Sequence, residues 1–169
     1  MHNIVIRNET VSDIEAIAEV TRTAFATLQI SQHTEQFIIK ALRAAGALTI
    51  SLVAEVDRKI VGHVAFSPVT ISDGSRDWYG LGPVSVLPEY QKQGIGTSLI
   101  NTGLSMLKEM GADGVVLVGH PEYYKRFGFK NFPELIYEGI PQHYFFALPF
   151  GKTAAKGTVH FHPGFSATM

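Results

Sequence analysis

The 169-residue chain contains no cysteine, which excludes disulfides, thiolate-ligated zinc, iron–sulfur clusters and a thiol nucleophile. A strong net charge is also missing, because fourteen basic and fifteen acidic residues leave −1. A chain so balanced has no overall field to recruit nucleic acid or anionic lipid. No apolar run approaches the ~20 residues that a membrane-spanning helix requires. The chemistry must therefore come from oxygen or nitrogen groups or from a bound molecule.

What the sequence does contain is a high apolar content in an α/β pattern. Hydrophobic residues make up 46% and charged residues 17%, which is too apolar for a disordered chain. The length favours one domain with a substantial core. The N-terminal segment reaches Arg7 and Glu9 too early for a secretory signal peptide. We therefore expect one cytoplasmic α/β domain over residues 3–150, with a connector and a tail strand over 151–169 packed on it.

Periodicity divides the chain into strands and helices. Helical spacing of apolar residues is found over 11–28, 34–45 and 95–110, and a brief helix is expected around 121–127. Strand patterns occupy 3–8, 48–56, 59–71, 78–87, 115–118, 129–132, 143–148 and 157–165. Asp57 and Arg58 predict a hairpin turn. Pro83 cannot donate to a ladder, so the strand that contains it should bulge or splay.

The strongest local signal is a strand, a glycine-rich turn and a helix over residues 84–110. A helix N-terminus exposes unpaired N–H groups and a partial positive charge, and Gly94 and Gly96 leave room for an anion beside them. The turn lacks the Gly-Lys-Ser/Thr ending of a P-loop and the third glycine of a dinucleotide fingerprint. It predicts either another kind of phosphate cradle or glycines that serve helix packing alone.

Two motifs, taken in order, resemble those of the GCN5-related N-acetyltransferase (GNAT) family. The signature Gln/Arg-x-x-Gly-x-Gly/Ala corresponds to Gln91-Lys92-Gln93-Gly94-Ile95-Gly96, directly after the strand VSVLPEY. The second landmark, a tyrosine four residues before Gly-Phe, corresponds to Tyr124. These segments and the tail GTVHFHPGF are similar to a bacterial subgroup of predicted acetyltransferases of unassigned substrate. The resemblance implies an α/β fold with a mixed, mostly antiparallel sheet, splayed at its central strand and flanked by helices.

The resemblance also implies acetyl-CoA as co-substrate, without a metal. In the family, backbone groups of the splayed strand hold the pantetheine arm, and here the Val86 N–H would polarise the thioester carbonyl, an effect worth about 3 kcal/mol of barrier. Backbone N–H groups of the turn would hold the pyrophosphate, with Lys92 adding charge. The residues assigned to the coenzyme are Val84, Ser85, Val86, Gln91, Lys92, Gln93, Gly94, Ile95, Gly96 and Thr97.

Acyl transfer to an amine needs a proton for the departing thiolate, and the resemblance assigns its donation to Tyr124. A phenol with a pKa near 10 holds its proton at neutral pH. Tyr123 is expected to pack or to touch the acceptor. Lys125 and Arg126 either approach the ribose phosphate or form a solvated helix face. Because cysteine is absent, we expect direct transfer in a ternary complex.

The general base has four candidates, Glu55, His63, Glu89 and His120, on strands expected to border the cleft. His120 is the first choice, because it ends the strand 115–118 and an imidazole titrates near pH 7. The alternative is that it caps the strand end or touches the coenzyme. The family usually has an asparagine further before the tyrosine, where this chain has Gly119-His120-Pro121, so no role is carried over from that asparagine.

The tail contains a second constellation, His160-x-His162, whose alternate residues could share a metal on one strand face. No third ligand is apparent in the tail, which favours a structural strand covering the sheet. The aromatic segment 137–150 is expected to form core and wall. Residues that could line an acceptor groove are Tyr137, His143, Phe25 and Gln29.

Together, these patterns predict an enzyme that moves the acetyl group of acetyl-CoA to a primary amine of a small molecule or peptide. No nucleic-acid or membrane partner is expected, and the resemblance makes a homodimer an open option. The rival interpretations are a catalytically silent acyl-CoA-binding regulatory module and a metal-binding protein built on the tail histidines. The sequence leaves a peptide N-terminus, lysine, a polyamine, an aminoglycoside and an amino acid open as acceptors.

Overall fold

A mixed β-sheet forms the centre of the computed structural model, which describes residues 3–26, 28, 33–151 and 154–168. Its strands are β1 (Ile4–Asn8), β2 (Ile50–Val56), β3 (Lys59–Ile71), β4 (Trp78–Val86), β5 (Gly114–Val118), β6 (Leu135–Ile136), β7 (Phe145–Pro149) and β8 (Gly157–Phe161). The main path runs β1-β2-β3-β4-β5-β7 and is antiparallel at every pair except β4–β5. The short β8 pairs with β3 and with β6. The sheet expected from the resemblance is thereby confirmed.

Helices cover both faces of the sheet. Within the described residues they are α1 (Ile14–Phe25), α2 (Glu35–Ala44), α3 (Ile95–Glu109) and α4 (Pro121–Tyr124). On one face, Ile17 of α1 and Ile39 of α2 pack against Val53 of β2. On the opposite face, Gly103 of α3 leaves space for the ring of Phe66 on β3. None of the described helices is long and apolar enough to cross a membrane.

The predicted helices are confirmed, with a difference at the first one. The helix expected over 11–28 begins as a 3₁₀ turn, Val11–Asp13, and its α-helical part ends at Phe25. Asp13 Oδ2 accepts from the Thr10 N–H at 2.7 Å. This capping bond holds the chain in the tighter turn before α1 begins.

The prediction of a strand over residues 129–132 is wrong. Lys130 makes only an isolated bridge to Ala147. Asn131 Nδ2 donates to two carbonyls of the segment 142–145, at 3.2 and 2.9 Å. A side chain therefore satisfies acceptors that a strand ladder would otherwise use, and regular pairing forms later, at β6.

The tail strand predicted over 157–165 ends at Phe161, because the chain turns into a 3₁₀ helix at Pro163–Ser166. His162 begins that turn, and its Nδ1 accepts from the Gly164 N–H at 2.9 Å. His160 is exposed on β8. The two histidines therefore have different surroundings instead of sharing a strand face.

The splay predicted near Pro83 is confirmed. Parallel pairing joins β4 to β5 only over residues 78–80. Against β3, the pairs at Val64 and Phe66 leave Gly82 and Pro83 of β4 opposite the single residue Ala65. This bulge bends β4, and a gap opens between β4 and β5 beyond residue 80.

Candidate active site

The larger cavity at this gap, which we call the α3-side cleft, has a volume of about 690 Å³. The C-terminal half of β4, the turn after it, the first turn of α3 and α4 form most of its wall. The lining residues are Leu28, Val84, Val86, Tyr90, Gln91, Lys92, Gly94, Ile95, Gly96, Thr97, Tyr123, Tyr124 and Arg126. The strand–turn–helix segment singled out in the sequence thus builds most of this cleft.

The register between β3 and β4 directs alternate backbone groups into the α3-side cleft. Leu87 donates its N–H to Val61 O at 2.8 Å, so hydrogen-bonded pairing with β3 falls on every second residue counted from there. The backbone groups of Val84 and Val86 therefore point away from β3, toward the gap that β5 has left. Gln91 Nε2 donates to the Val86 carbonyl at 2.9 Å, which ties the turn to the strand.

The start of α3 places a row of N–H groups in the same cleft. Gly94 precedes the helix with φ +87°, a left-handed conformation that residues with side chains rarely adopt. The first intrahelical bond joins the Ser98 N–H to Gly94 O at 3.0 Å. The N–H groups of Ile95, Gly96 and Thr97 thus precede the helical ladder and point out of its start. With the helix dipole, they suit an anion.

Two adjacent tyrosines of α4 close the side of the cleft. The rings of Tyr123 and Tyr124 meet edge to face with centroids 4.9 Å apart, and the Arg126 guanidinium lies 4.6 Å from the Tyr123 centroid. A Cβ at Gly96 would lie 3.1 Å from Tyr123 Oη, so Tyr123 covers the helix start. Burial, with a smaller contribution from Tyr123, raises the pKa of Tyr124 to about 12. The Tyr124 hydroxyl therefore remains a hydrogen-bond donor at neutral pH.

Three of the predicted site residues, Ser85, Gln93 and His120, do not line the α3-side cleft. Ser85 is 2% exposed and turns its hydroxyl to the other face of the sheet, where it donates to Thr21 Oγ1 at 3.4 Å. The exposed Gln93 side chain donates to the Glu89 carbonyl at 3.4 Å. His120 is exposed between β5 and α4.

The remaining candidates for a base lie away from the cleft. Glu55 accepts from Arg7 at 2.9 Å near the β1 edge of the sheet. Glu89 is exposed on a 3₁₀ turn after β4. His63 of β3 is fully buried and pairs in register with Ser85. The structure therefore brings none of the three into the α3-side cleft.

His63 is the buried end of a hydrogen-bonded chain of side chains whose other end, formed by Glu9 and Arg43, is half-buried. Ser51 Oγ donates to Glu9, whose carboxylate accepts from Arg43 at 2.8 and 2.9 Å. Because the single Ser51 proton is used, the 2.7 Å contact between Ser51 Oγ and His63 Nε2 requires Nε2–H as the donor. His63 Nδ1 is then an acceptor, buried with no hydrogen-bond partner in the described part of the chain. Burial lowers the pKa of His63 to about 4, so the ring is neutral at pH 7.

A smaller cavity of about 300 Å³, which we call the α1-side cavity, lies between the bulge of β4 and residues of α1 and α2. Its lining residues are Phe25, Glu35, Ile38, Leu81, Gly82, Pro83, Val118, Tyr137, Ile140, Phe161 and Phe165. Glu35 is the one formally charged side chain among these described residues. The bulge of β4 separates the two cavities, since Gly82 and Pro83 border one and Val84 and Val86 border the other.

Three rings from the C-terminal part of the chain form one wall of the α1-side cavity. The centroids of Tyr137 and Phe161 are 4.9 Å apart, and those of Phe161 and Phe165 are 5.2 Å apart. β8 carries Phe161 over Gly80 of β4, where a Cβ would lie 2.5 Å from the ring. The ring can approach the strand this closely because residue 80 is glycine.

The predicted acceptor-groove residues are only partly brought together. Phe25 and Tyr137 line the α1-side cavity. His143 instead stacks against Tyr144, with centroids 4.1 Å apart. Gln29 lies outside the described residues.

Other wall residues were not found by the motifs. Tyr90 directly precedes the glycine signature, so proximity to that motif was the available signal. Arg126, which the sequence offered as a possible contact of the ribose phosphate, does line the α3-side cleft. Phe161 and Phe165 carry no local signal. They reach the α1-side cavity because β8 pairs with β3.

Comparisons with known proteins agree with this geometry. A family model described as an acetyltransferase (GNAT) domain matches residues 5–132. The uncharacterized N-acetyltransferase YhbS of Escherichia coli K12 is 36% identical over 128 residues, which are 75% of this chain and 74% of that protein. A GNAT family acetyltransferase from Brucella melitensis, solved with acetyl-CoA, is 46% identical with a TM-score of 0.88, covering 98% of this chain and 100% of that one. YhbS solved with CoA superposes with a TM-score of 0.91 at 30% identity, covering 100% of this chain and 95% of that one. The chain belongs to the GNAT family of acetyltransferases.

Proposed function

We propose that the protein binds acetyl-CoA in the α3-side cleft and transfers its acetyl group directly to a primary amine that enters through the α1-side cavity. The observation that carries this proposal is that the two cavities border successive parts of β4, one at Gly82 and Pro83 of the bulge and the other at Val84 and Val86. A donor and an acceptor bound in these cavities would meet at the splayed strand. The Brucella and YhbS structures, which contain acetyl-CoA and CoA, support coenzyme binding by this chain, and the N–H groups at the start of α3 favour the larger cleft for it.

The residues of the α3-side cleft suit the chemical groups of the coenzyme. The N–H groups of Ile95, Gly96 and Thr97 would bind the pyrophosphate, because they lack helical partners and lie at the positive end of the α3 dipole. The backbone groups of Val84 would pair with a pantetheine amide in the place that β5 vacates, because the Val86 carbonyl already accepts from Gln91 and the Val86 N–H is assigned to the thioester. Lys92 and Arg126 add positive charge at the phosphate end.

The same strand supplies the electrophilic assistance. The Val86 N–H points into the cleft and would donate to the thioester carbonyl oxygen, whose negative charge increases as the amine attacks. Fixed donors of this kind contribute about 3 kcal/mol. Bound acetyl-CoA supplies the activated acetyl group, and the protein holds it in position.

Tyr124 would donate a hydrogen bond to the thiolate as it leaves. A hydroxyl whose pKa is raised to about 12 keeps its proton across the working pH range. The group therefore stabilises the developing negative charge without losing its proton to solvent first. Tyr123, which covers the start of α3, would instead shield the phosphate end.

His120 would accept the proton of the amine through water. The amine must lose a proton at a cost of about 4–5 kcal/mol at pH 7, and His120 is exposed where β5 leads into α4. A His120→Gln variant should lower kcat/KM by about 10–100-fold, with its acetyl-CoA affinity unchanged. The matched control is His160→Gln, at an exposed histidine on β8. Unchanged kcat/KM in His120→Gln would exclude this role.

Direct transfer can be tested by initial-velocity kinetics with acetyl-CoA and an accepted amine. Direct transfer predicts intersecting double-reciprocal lines, whereas a covalent acetyl-enzyme predicts the parallel lines of a ping-pong mechanism. Calorimetric titration with acetyl-CoA should be done in parallel, because it measures coenzyme binding independently of transfer. Binding without transfer to any amine would identify the silent coenzyme-binding module and overturn the proposal.

A further inference from the structure

The size and the lining of the α1-side cavity bear on which amines could bind there. Its volume of about 300 Å³ is at the low end of the range of about 300–1,000 Å³ found for small-molecule sites. Side chains from α1, α2, β4, β5 and the C-terminal segment line it. The part of an acceptor that this space holds is therefore compact.

The wall of this cavity is aromatic and aliphatic. The rings of Tyr137, Phe161 and Phe165 follow one another in contact, with centroids 4.9 and 5.2 Å apart. Phe25 and Ile38 face the same space from α1 and α2. Such a surface favours a flat or branched hydrocarbon body, because burying apolar area is stabilising and ring pairs add about 0.5–1.5 kcal/mol.

The charges around the cavity limit further which acceptor amines it suits. Among its described lining residues, Glu35 carries the one formal charge. An acceptor with several ammonium groups would leave cations against apolar walls, which is costly without partners. An acceptor that carries a carboxylate or phosphate would meet no lysine or arginine in this described lining.

We propose that the acceptor is a small amine with a single ammonium group on an aromatic or branched aliphatic body. In this assignment, Phe161 and Phe165 of the tail select it by contacting that body. The inference rests on the proposed function, because it assigns the acceptor to the α1-side cavity. Tyr137, Phe161 and Phe165 all lie after residue 132, where the match to the family model ends.

The test is a steady-state acetylation assay with 2-phenylethylamine and 3-methylbutylamine against spermidine, kanamycin, glycine and lysine. We expect kcat/KM for the two apolar amines to exceed that for each polar amine by at least about tenfold, since one apolar contact in a pocket is worth about 10–200-fold. A preference for spermidine, kanamycin or an amino acid overturns the proposal.

A substitution at Phe165 tests whether the tail causes the preference for apolar amines. Phe165→Ala should raise KM for 2-phenylethylamine by about tenfold or more and leave the calorimetric affinity for acetyl-CoA unchanged. Phe165→Leu keeps an apolar volume if the alanine variant fails to fold, and should lower the preference for the aromatic over the branched amine. The control is Met110→Ala, an exposed apolar side chain after α3. Unchanged KM values in a folded Phe165 variant overturn the proposal.

The outcomes separate this inference from the proposed function. If other amines are acetylated while the apolar ones are not, the acceptor class is wrong and the acetyltransferase assignment stands. If acetyl-CoA binds but no amine is acetylated, both are wrong.

Discussion

The two cavities that border β4 are built in different ways. The α3-side cleft uses mainly backbone groups from one stretch of chain, Val84 to Thr97, with α4 added beside it. The α1-side cavity uses side chains from separate elements, from Phe25 on α1 to Phe165 after β8. Backbone recognition depends on chain geometry and on a few glycines, whereas side-chain recognition depends on each contributing residue. Coenzyme binding should therefore respond to changes at glycines, and acceptor choice to changes in side-chain size.

The largest expected effect comes from a substitution that changes the α3-side cleft and leaves the α1-side cavity as it is. Gly96→Val should lower acetyl-CoA affinity by at least about 100-fold, because its Cβ would lie 3.1 Å from Tyr123 Oη and the larger side chain would crowd the N–H groups that are proposed to bind the pyrophosphate. Two charge-assisted hydrogen bonds of about 1.5 kcal/mol each account for that factor. Calorimetry measures it, and Ser105→Val, at an exposed position of α3, controls for a β-branched residue in the helix. A folded Gly96→Val protein with wild-type affinity would contradict the assignment.

The second prediction concerns the loss of a catalytic hydroxyl from a cleft that keeps its shape. Tyr124→Phe should lower kcat and kcat/KM together by about 10–10³-fold at pH 6.5, since the lost hydrogen bond acts mainly in the transition state. The loss should shrink toward pH 8.5, where a thiolate leaves more easily without assistance. Tyr144→Phe, at an exposed tyrosine, is the control. Wild-type kcat at pH 6.5 in Tyr124→Phe would transfer the role to Tyr123 or water.

The next prediction concerns His63, the buried end of the hydrogen-bonded chain that includes Ser51, Glu9 and Arg43. Burial lowers the pKa of His63 from 6.5 to about 4, so between these values the unfolded state binds a proton that the folded state does not. Stability is then complete above pH 6.5 and falls by up to about 3 kcal/mol as the pH drops to 4. Urea unfolding at pH 7 and pH 5 measures the loss.

A His63→Gln variant should flatten this pH dependence, and His160→Gln should not. Glu9 acts in a lower range: burial raises its pKa, but bonds from Arg43 and Ser51 outweigh that effect and lower it below 4.5. Its stabilising contribution is therefore lost as the pH falls through that lowered value. An unchanged slope between pH 7 and 5 in His63→Gln would show that this histidine does not cause the loss.

The smallest expected effect comes from a substitution that changes only the α1-side cavity. Gly80→Ala places a Cβ 2.5 Å from the Phe161 ring, so the ring must move at a cost of about 1–3 kcal/mol of stability. KM for the acceptor should change by a few fold while acetyl-CoA affinity stays constant. A change in coenzyme affinity without a change in acceptor KM would reverse the assignment of the two cavities.

Local patterns account for the parts of the site that were predicted. The glycine signature and the tyrosine motif are each a short continuous segment, so each can be read from the sequence. The N–H groups of the glycine turn then follow from where α3 begins. The splay was predicted because Pro83 cannot donate to a ladder. The error at 129–132 arose because Asn131 uses its side chain to bond carbonyls that a strand would have paired, and apolar alternation does not show this.

By itself, the sequence determined the order of elements, the family through its two motifs, and the N–H groups at the start of α3, because each of these depends on a continuous segment of the chain. Only the tertiary structure decided which side of the sheet Ser85 faces, how deeply His63 is buried, and which rings surround the acceptor cavity. The bulge at Gly82 and Pro83 and the pairing of β8 with β3 bring these distant residues to their places. Such pairings join residues up to 92 positions apart, as Val69 and Phe161 are, and no local periodicity records them.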